Sequence, residues 1–135
     1  MSLPLNNQPM TIKQARELSP LVLAYVGDGV HTLYVRLVEM SKTTGKTDKL
    51  HKAVIRRVSA TAQAESMSAI EGLLTEEEGD IFRRGRNSHP HSFAKNATVL
   101  DYKTATGFEA LVGYLYLTAQ HDRLQYLLSV SYKND

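Results

Sequence analysis

The sequence predicts an all-α fold, a compact bundle of five to seven helices. Nearly all apolar residues recur at helical spacing, and no run keeps the strict alternation of a strand. Helix-start signals also stand directly before several of the apolar segments. The chain has 135 residues, of which 42% are hydrophobic, and this length suits one domain with its own core. We therefore expect a single domain over residues 1–135, in which residues 1–17 form a partly ordered N-terminal extension.

The first long helix is predicted from its N-terminal signal. Ser19 is a suitable N-cap, and Pro20 suits the first helical position, where a missing N–H costs nothing. The helix should run to about Met40, and its apolar residues cover the wide arc of a central helix. A second helix is predicted over Asp48–Glu71, with apolar residues on its inner side.

Three further helices are predicted in the second half of the chain. One begins after Thr75, because Thr75 and Glu78 form the capping-box pattern, and Gly85 marks its expected end. The segment RNSHPHSFAKN, residues 86–96, is predicted to be an exposed basic loop. The last two helices are expected over Val99–Ala119 and Asp122–Tyr132.

Composition excludes several classes of protein. The chain has no cysteine, which excludes disulfide scaffolds, thiolate zinc sites and cysteine nucleophiles. Its first residues, MSLPLNNQPM, lack the basic start and apolar run of a secretory signal. The apolar stretch Ala105–Ala119 is too short to span a bilayer. We therefore expect a soluble cytoplasmic protein with no membrane partner.

Positive charge is concentrated in two segments, although the net charge is only +2. Lys42–Arg57 has six cations and one anion, and Arg83–Lys103 has five cations and one anion. If the fold brings both segments to one face, that face would suit a phosphate backbone. Otherwise they are two separate solvated helix surfaces.

Two carboxylates lie in the most apolar helices. Asp28 stands between Gly27 and Gly29 in the run LVLAYVGDGV, and each interior glycine costs a helix about 1 kcal/mol relative to alanine. Such glycines would let another helix approach closely, leaving Asp28 to face a cleft. The other interpretation is that Asp28 caps a kink.

Glu109 is the second of these acids and the only Asp, Glu, Lys or Arg between Lys103 and His121. A buried carboxylate must be paired with a cation, protonated or bound to a metal, so a core ion pair with a lysine or arginine is the simpler interpretation. Together, however, two inward carboxylates beside a basic surface match a metal-dependent phosphodiesterase. Mg²⁺ takes oxygen ligands and keeps several waters, so one or two carboxylates suffice to hold it.

The histidines offer weaker candidates. His31 lies one turn after Asp28 and either supports the acids or is simply a packed side chain. His89 and His91 flank a proline but have no third metal ligand nearby in the sequence.

The pairing of LAYVGDGV with FEALVGYLYL resembles the ribonuclease III catalytic domain, in which a glycine-aspartate helix is followed by a later glutamate helix. The segments LHKAVIRRVSATAQA and LTEEEGDIFRRGRN, with the later KN, are similar to the short branch of that family called Mini-ribonuclease III. This branch has the catalytic domain without the double-stranded-RNA-binding domain. The resemblance covers roughly residues 18–130.

The resemblance implies roles for individual residues. Asp28 and Glu109 match the family's catalytic acids and ligands of Mg²⁺, or of Mn²⁺ in its place. Ala24 and Thr106 stand where larger members usually have carboxylates, a departure shared by the short branch that leaves open whether one or two metals bind. Tyr25 matches an aromatic residue that packs across the family's dimer interface.

The resemblance also implies a function. A homodimer would cleave double-stranded RNA to 5′-phosphate and 3′-hydroxyl ends and mature the precursor of 23S ribosomal RNA, with a ribosomal protein as a further partner. We assign RNA binding to Arg56, Arg57, Arg83, Arg84, Arg86, Asn87, Lys95 and Asn96. The alternatives are a non-catalytic double-stranded-RNA-binding module of ribosome assembly and a plain helical interaction domain. Inward carboxylates would repel phosphate, which disfavours a non-catalytic RNA-binding module. The basic segments disfavour a plain interaction domain.

Overall fold

The computed structural model describes residues 8–42, 45–88 and 98–132. Within these ranges the chain forms seven α-helices, one short 3₁₀ turn and no strand, so the all-α prediction is confirmed. The helices are α1 Ile12–Arg16, α2 Pro20–Lys42, α3 Thr47–Val58, α4 Ala60–Ile70, α5 Glu76–Arg86, α6 Val99–Leu117 and α7 His121–Ser131, and the 3₁₀ turn Glu71–Leu73 lies between α4 and α5.

Helix α6 is the centre of the bundle. It packs against α2, α4, α5 and α7, and all but one of residues 105–116 are buried. Phe108 and Tyr114 are fully buried, although they point to different sides of the helix. A helix surrounded in this way has to be apolar on every side, which explains the nearly uncharged sequence around Glu109.

Helices α2 and α6 touch backbone to backbone at two glycines. A Cβ atom on Gly27 would lie 1.7 Å from the carbonyl oxygen of Glu109, and one on Gly113 would lie 2.0 Å from that of Leu23. No side chain fits at either position, so the close approach predicted for Gly27 is confirmed. Gly29 differs, because a Cβ there would meet no atom of the described chain within 4 Å.

Helix α2 begins where the sequence predicts and ends two residues later than expected. The Ser19 hydroxyl oxygen accepts a hydrogen bond from the backbone N–H of Leu21 at 3.2 Å. Among the described residues, α2 is the one helix whose length and apolar composition would allow it to cross a membrane. Helices in the core of a protein often have the same length and composition. In this structure α2 packs along α6 and carries Asp28 near its middle.

The single helix predicted over Asp48–Glu71 is wrong, because the structure has two helices there. Ser59 breaks the chain with extended backbone angles, φ −64° and ψ 157°, and its side chain accepts a hydrogen bond from the N–H of Ala62. A serine that caps the second helix offers the backbone an alternative to continuing the first. The break turns α4 relative to α3 and brings α4 against α6.

The short helix α1 was not expected from the sequence. The Thr11 side chain caps it, and Ala15 is fully buried in the core. The backbone N–H of Met10 also donates a hydrogen bond to the carbonyl of Leu117 at 2.8 Å. The later part of the expected N-terminal extension is therefore packed on the bundle, while residues 1–7 lie outside the described ranges.

Helix α5 begins as predicted but does not end at Gly85. The capping box between Thr75 and Glu78 is present, and the helix continues to Arg86 with Asn87 as its C-cap. Gly85 is buried against α6, where a Cβ would lie 2.8 Å from the Cβ of Ala110. Its small size therefore serves helix packing. Residues 89–96 of the predicted basic loop lie outside the described ranges.

Candidate active site

A cleft of about 460 Å³ opens between α2, the α3–α4 junction and α6. Both predicted acids line it, Asp28 from α2 and Glu109 from α6. The complete lining is Leu21, Ala24, Tyr25, Asp28, Val58, Ser59, Ala60, Gln63, Tyr102, Ala105, Thr106 and Glu109. Two acids 81 positions apart in sequence thus face one cavity, as the sequence led us to expect.

The glycine contact between α2 and α6 sets the spacing of the two acids. Gly27 directly precedes Asp28 and touches the backbone of Glu109. As a result, the Asp28 carboxylate lies within hydrogen-bonding reach of the Glu109 carboxyl group. The two acids are not equally inward, because Asp28 is exposed at the mouth of the cleft whereas Glu109 is half-buried. The expectation of two buried carboxylates is therefore wrong for Asp28.

The surroundings of Glu109 oppose its negative charge. Burial, followed by the hydrogen bond and the charge of Asp28, raises the pKa of Glu109 from 4.5 to about 8. A hydrogen bond from Gln63 acts in the other direction. Among the described residues, the neighbours that act on Glu109 are Asp28 and Gln63, and neither carries a positive charge. The site therefore favours a proton or a cation between its two acids.

Gln63 belongs to the site, although it was not among the residues predicted from the sequence. Its side-chain Nε2 donates to Glu109 Oε2 at 3.3 Å and to the backbone carbonyl of Val58 at 3.2 Å. The residue is only 2% exposed. Its Oε1 is buried and accepts no hydrogen bond from the described residues. Its position depends on the break at Ser59, because Gln63 lies in the first turns of α4 after that break. The break itself was not predicted from the sequence.

His31 is connected to the acids through Gln63. Its Nδ1 lies 3.4 Å from Gln63 Nε2, and its ring packs edge-on against Phe108 with 5.0 Å between centroids. Burial lowers the pKa of His31 to about 4 although the charge of Asp28 opposes this shift. His31 is therefore a neutral, packed side chain near pH 7.

The donors in the cleft suit a hard divalent cation. The described residues contain no group of three or more His, Cys, Asp or Glu able to hold a metal ion. Asp28 and Glu109 do supply two adjacent carboxylates, and Gln63 adds a buried oxygen without a partner. Mg²⁺ needs only one or two carboxylates when it keeps several waters, so the residues present fit such an ion. His89 and His91 lie outside the described ranges.

The basic residues of α3 line a second cavity. Arg56, Arg57 and Lys42 border a polar cavity that His31 also lines. Arg57 and Lys42 both stack on the ring of Tyr132, at 4.4 and 4.7 Å from its centroid. These three cations are not among the residues that line the acid cleft.

The arginines of α5 form a separate group. The guanidinium of Arg86 stacks on Phe82 at 5.5 Å, and its Nε donates to Asn87 Oδ1 at 3.4 Å. Arg83 is exposed, and Arg84 donates to the carbonyl of Leu18. Arg83 and Arg86 line a cavity beside Phe82, whereas the arginines of α3 line the cavity beside His31. Lys95 and Asn96 lie outside the described ranges.

The acids at the start of α5 do not neutralise these arginines. Glu78 binds Arg123, with oxygen–nitrogen distances of 2.8 and 2.9 Å. Glu77 accepts a hydrogen bond from the Tyr114 hydroxyl at 2.7 Å. Within the described part of the chain, no ion pair joins residues 76–78 to Arg83, Arg84 or Arg86. The α5 arginines are thus available to an anionic ligand.

Tyr25 projects from α2 beside the cleft. It is 83% exposed, the highest value among the large hydrophobic residues described. Val22, in the preceding turn, is 47% exposed. Tyr25 also lines the cleft together with Asp28, so a partner packed on Tyr25 would border the acids.

Comparison with known proteins agrees with this arrangement. The family model of the Ribonuclease III domain matches residues 21–120. A protein named Mini-ribonuclease 3 from Thermoanaerobacter sp. (strain X514) is 45% identical over 126 residues, which cover 93% of this chain and 89% of that protein. One of the same name from Enterococcus faecalis is 46% identical over 122 residues, covering 87% and 91%. A crystal structure of a Fusobacterium nucleatum protein matches with a TM-score of 0.78 at 30% identity, covering 85% of this chain and 92% of that one.

Proposed function

Because the chain belongs to the ribonuclease III family and is an endoribonuclease of that type, we propose that it cleaves double-stranded RNA with a divalent cation held by Asp28 and Glu109. The observation that carries this proposal is the adjacency of the two carboxylates in one cleft. Mg²⁺ is the ion that the oxygen donors suit, and Mn²⁺ accepts the same ligands.

The residues of the cleft have distinct parts in this chemistry. A divalent cation bound here would activate a water molecule as the nucleophile and would neutralise the negative charge that develops on the scissile phosphate. Asp28, exposed at the mouth, meets the solvent and the RNA backbone, while the half-buried Glu109 is held by Gln63. Attack by water on phosphorus with departure of the 3′ oxygen leaves 5′-phosphate and 3′-hydroxyl ends.

We assign the binding of the duplex to the two basic groups. A-form RNA is recognised mostly by shape, through phosphates and 2′-hydroxyls, and arginine binds phosphate oxygens in a bidentate manner. The α5 arginines have no acidic partner on their own helix among the described residues. Gly85, in the same helix, packs against the backbone of α6 at Thr106, and Thr106 lines the cleft.

We further infer that the protein is a homodimer joined around Tyr25. A tyrosine with 83% of its surface exposed, next to the exposed Val22 on the same helix, is typical of an interface residue. The substrate would be the precursor of 23S ribosomal RNA in the cytoplasm, with a ribosomal protein as a further partner. Support for this substrate comes from the resemblance of the motifs to the short branch of the family.

The experiment that tests the proposal is cleavage of a long RNA duplex by purified protein in Mg²⁺, with single-stranded RNA as the comparison. Asp28→Asn keeps the shape of the side chain and removes its charge, so cleavage should collapse while duplex binding and helicity persist. Asp48→Asn is the matched control, because Asp48 is an exposed helical aspartate outside the cleft. Duplex cleavage by Asp28→Asn at the rate of Asp48→Asn would refute the proposal, and duplex binding without any cleavage by the unmodified protein would favour a non-catalytic RNA-binding module.

A further inference from the structure

Gln63 connects three elements around the acid cleft. Its side chain extends from α4 to the last carbonyl of α3, at Val58, and to Glu109 on α6. His31 on α2 lies against the same amide nitrogen. With 2% of its surface exposed, Gln63 is fixed by packing as well as by these contacts.

The orientation of the Gln63 amide follows from its neighbours. The Val58 carbonyl can only accept a hydrogen bond, and so can the Glu109 carboxylate when it is ionised, as it would be with a bound cation. Both therefore require the Nε2 group, whose two hydrogens are used by these two oxygens. The Oε1 atom is left without a donor among the described residues, although it is buried.

A buried acceptor without a partner is costly and needs an explanation. Leaving such a group unsatisfied costs about 1–3 kcal/mol, and few are found in native proteins. Gln63 lines the cleft that contains the two carboxylates. A cation held there by two carboxylates keeps several waters, and each of those waters has hydrogens to donate.

The hydroxyl of Thr106, the other buried polar side chain of the cleft, needs no ligand to complete its hydrogen bonding. Thr106 also lines the cleft, but its hydroxyl donates to the carbonyl of Tyr102 one turn earlier in its own helix, at 3.0 Å. Its hydrogen bond is satisfied without any ligand. Among the described residues, Gln63 is thus the buried side chain of the cleft that has an unsatisfied polar atom.

We propose that Gln63 is a positioning residue of the cation site, which fixes the Glu109 carboxylate through Nε2–H and accepts through Oε1 a hydrogen bond from a water bound to the cation. This inference rests on the proposed function, since it requires a cation held by Asp28 and Glu109. Groups that orient metal ligands in this way commonly change metal affinity 10- to 100-fold (about one to two orders of magnitude) when they are replaced.

The test is Mn²⁺ binding to the RNA-free protein, followed through the EPR signal of free Mn²⁺. Gln63→Met keeps the length and volume of the side chain but removes both hydrogen-bonding groups, and we expect binding to weaken by about 10-fold or more. Thr106→Val is the matched control in the same cleft, because it removes a hydroxyl that serves only its own helix, and its Mn²⁺ affinity should stay within about 3-fold of the unmodified protein. At saturating Mn²⁺, Gln63→Met should lower kcat for duplex cleavage and leave KM for RNA unchanged.

The outcomes separate this inference from the proposed function. If Asp28→Asn loses Mn²⁺ binding but Gln63→Met binds as tightly as Thr106→Val, the role of Gln63 is refuted and the cation site stands. If Asp28→Asn binds Mn²⁺ as tightly as the unmodified protein, the cation site itself is refuted, and the role of Gln63 with it. If circular dichroism shows that Gln63→Met does not fold, Gln63→Asn replaces it, because the shorter amide stays polar but cannot reach all the contacts of Gln63. Unchanged Mn²⁺ affinity in Gln63→Asn would also refute the inference.

Discussion

Replacing Gly27 by alanine should disrupt both the packing and the chemistry of the protein. The new Cβ would lie 1.7 Å from the Glu109 carbonyl oxygen, whereas real Cβ atoms essentially never come within 3.0 Å of another heavy atom. The atom it meets is backbone, so no side chain can rotate away, and α2 and α6 must separate by more than an ångström. Overpacking of this kind lowers the free energy of unfolding by about 1–3 kcal/mol. Because the contact is between two backbones, we expect Gly27→Ala to lie near the upper end of this range.

Two measurements test this prediction. Urea unfolding should show a loss of about 3 kcal/mol, and the melting temperature should fall by roughly 10 °C for a domain of this size. Cleavage of duplex RNA per folded molecule should fall by about 100-fold, because a displacement of about 1 Å between catalytic groups costs that much. The separation of the helices moves Asp28 relative to Glu109.

Gly29→Ala is the control in the same helix. A Cβ on Gly29 meets no described atom within 4 Å, so alanine should stabilise the protein by about 0.5–1 kcal/mol through helix propensity. Its cleavage activity should be retained. If Gly27→Ala is as stable and as active as Gly29→Ala, the argument that the glycine contact sets the spacing of the acids is wrong.

Two further predictions concern RNA binding and pH. Arg86→Ala should weaken binding to unrelated RNA duplexes by a similar factor and lower the salt slope by about one phosphate contact; a lower melting temperature with unchanged affinity and slope would remove α5 from the RNA-binding surface. EDTA removes any divalent cation that would compete with a proton for Glu109. The pKa of Glu109 is raised from 4.5 to about 8 in the folded protein, so between these pH values the folded protein keeps a proton that the unfolded chain has lost. Glu109 therefore lowers the free energy of unfolding as the pH rises from 4.5 to about 8, whereas His31, whose pKa is lowered from 6.5 to about 4, raises it up to about pH 6.5. The net decrease should appear between about pH 6.5 and 8, where His31 is neutral in both states. Glu109→Gln should remove this decrease, and a pH dependence identical to that of the unmodified protein would show that Glu109 is not its source.

The parts of the fold that the sequence predicted are those set by local signals. Ser19 before Pro20 and the Thr75–Glu78 capping box place helix starts through contacts within four residues. The break at Ser59 was missed because apolar residues continue at helical spacing across it, and the backbone angles of one residue decide the outcome. Gly85 was misread because a glycine at a helix end and a glycine at a helix contact have the same sequence signal.

The site was predictable where a residue type conflicted with its setting. Asp28 and Glu109 stood out because charges are unfavourable in apolar helices, and such conflicts concentrate at functional sites. Gln63 could not be identified in this way, because a glutamine among the alanine, serine and threonine residues of α4 does not conflict with its surroundings in the sequence. Its importance depends on the tertiary approach of α4 to α6, which brings its amide to Glu109.

The position of Tyr25 leads to a last prediction, that dimerisation and cation binding assist each other. Tyr25 and Asp28 are three residues apart on α2, so their side chains are neighbours on one helix face. A partner packed on Tyr25 would remove water from around Asp28, which is unfavourable for a lone carboxylate and less so once a cation neutralises it. Because such coupling is reciprocal, Mn²⁺ should tighten the dimer in sedimentation experiments, and Tyr25→Ala should weaken both the dimer and Mn²⁺ binding. A dimer equally tight with Mn²⁺ and with EDTA would show that the interface and the acid cleft are independent, and a monomer at micromolar concentration would remove Tyr25 from any interface.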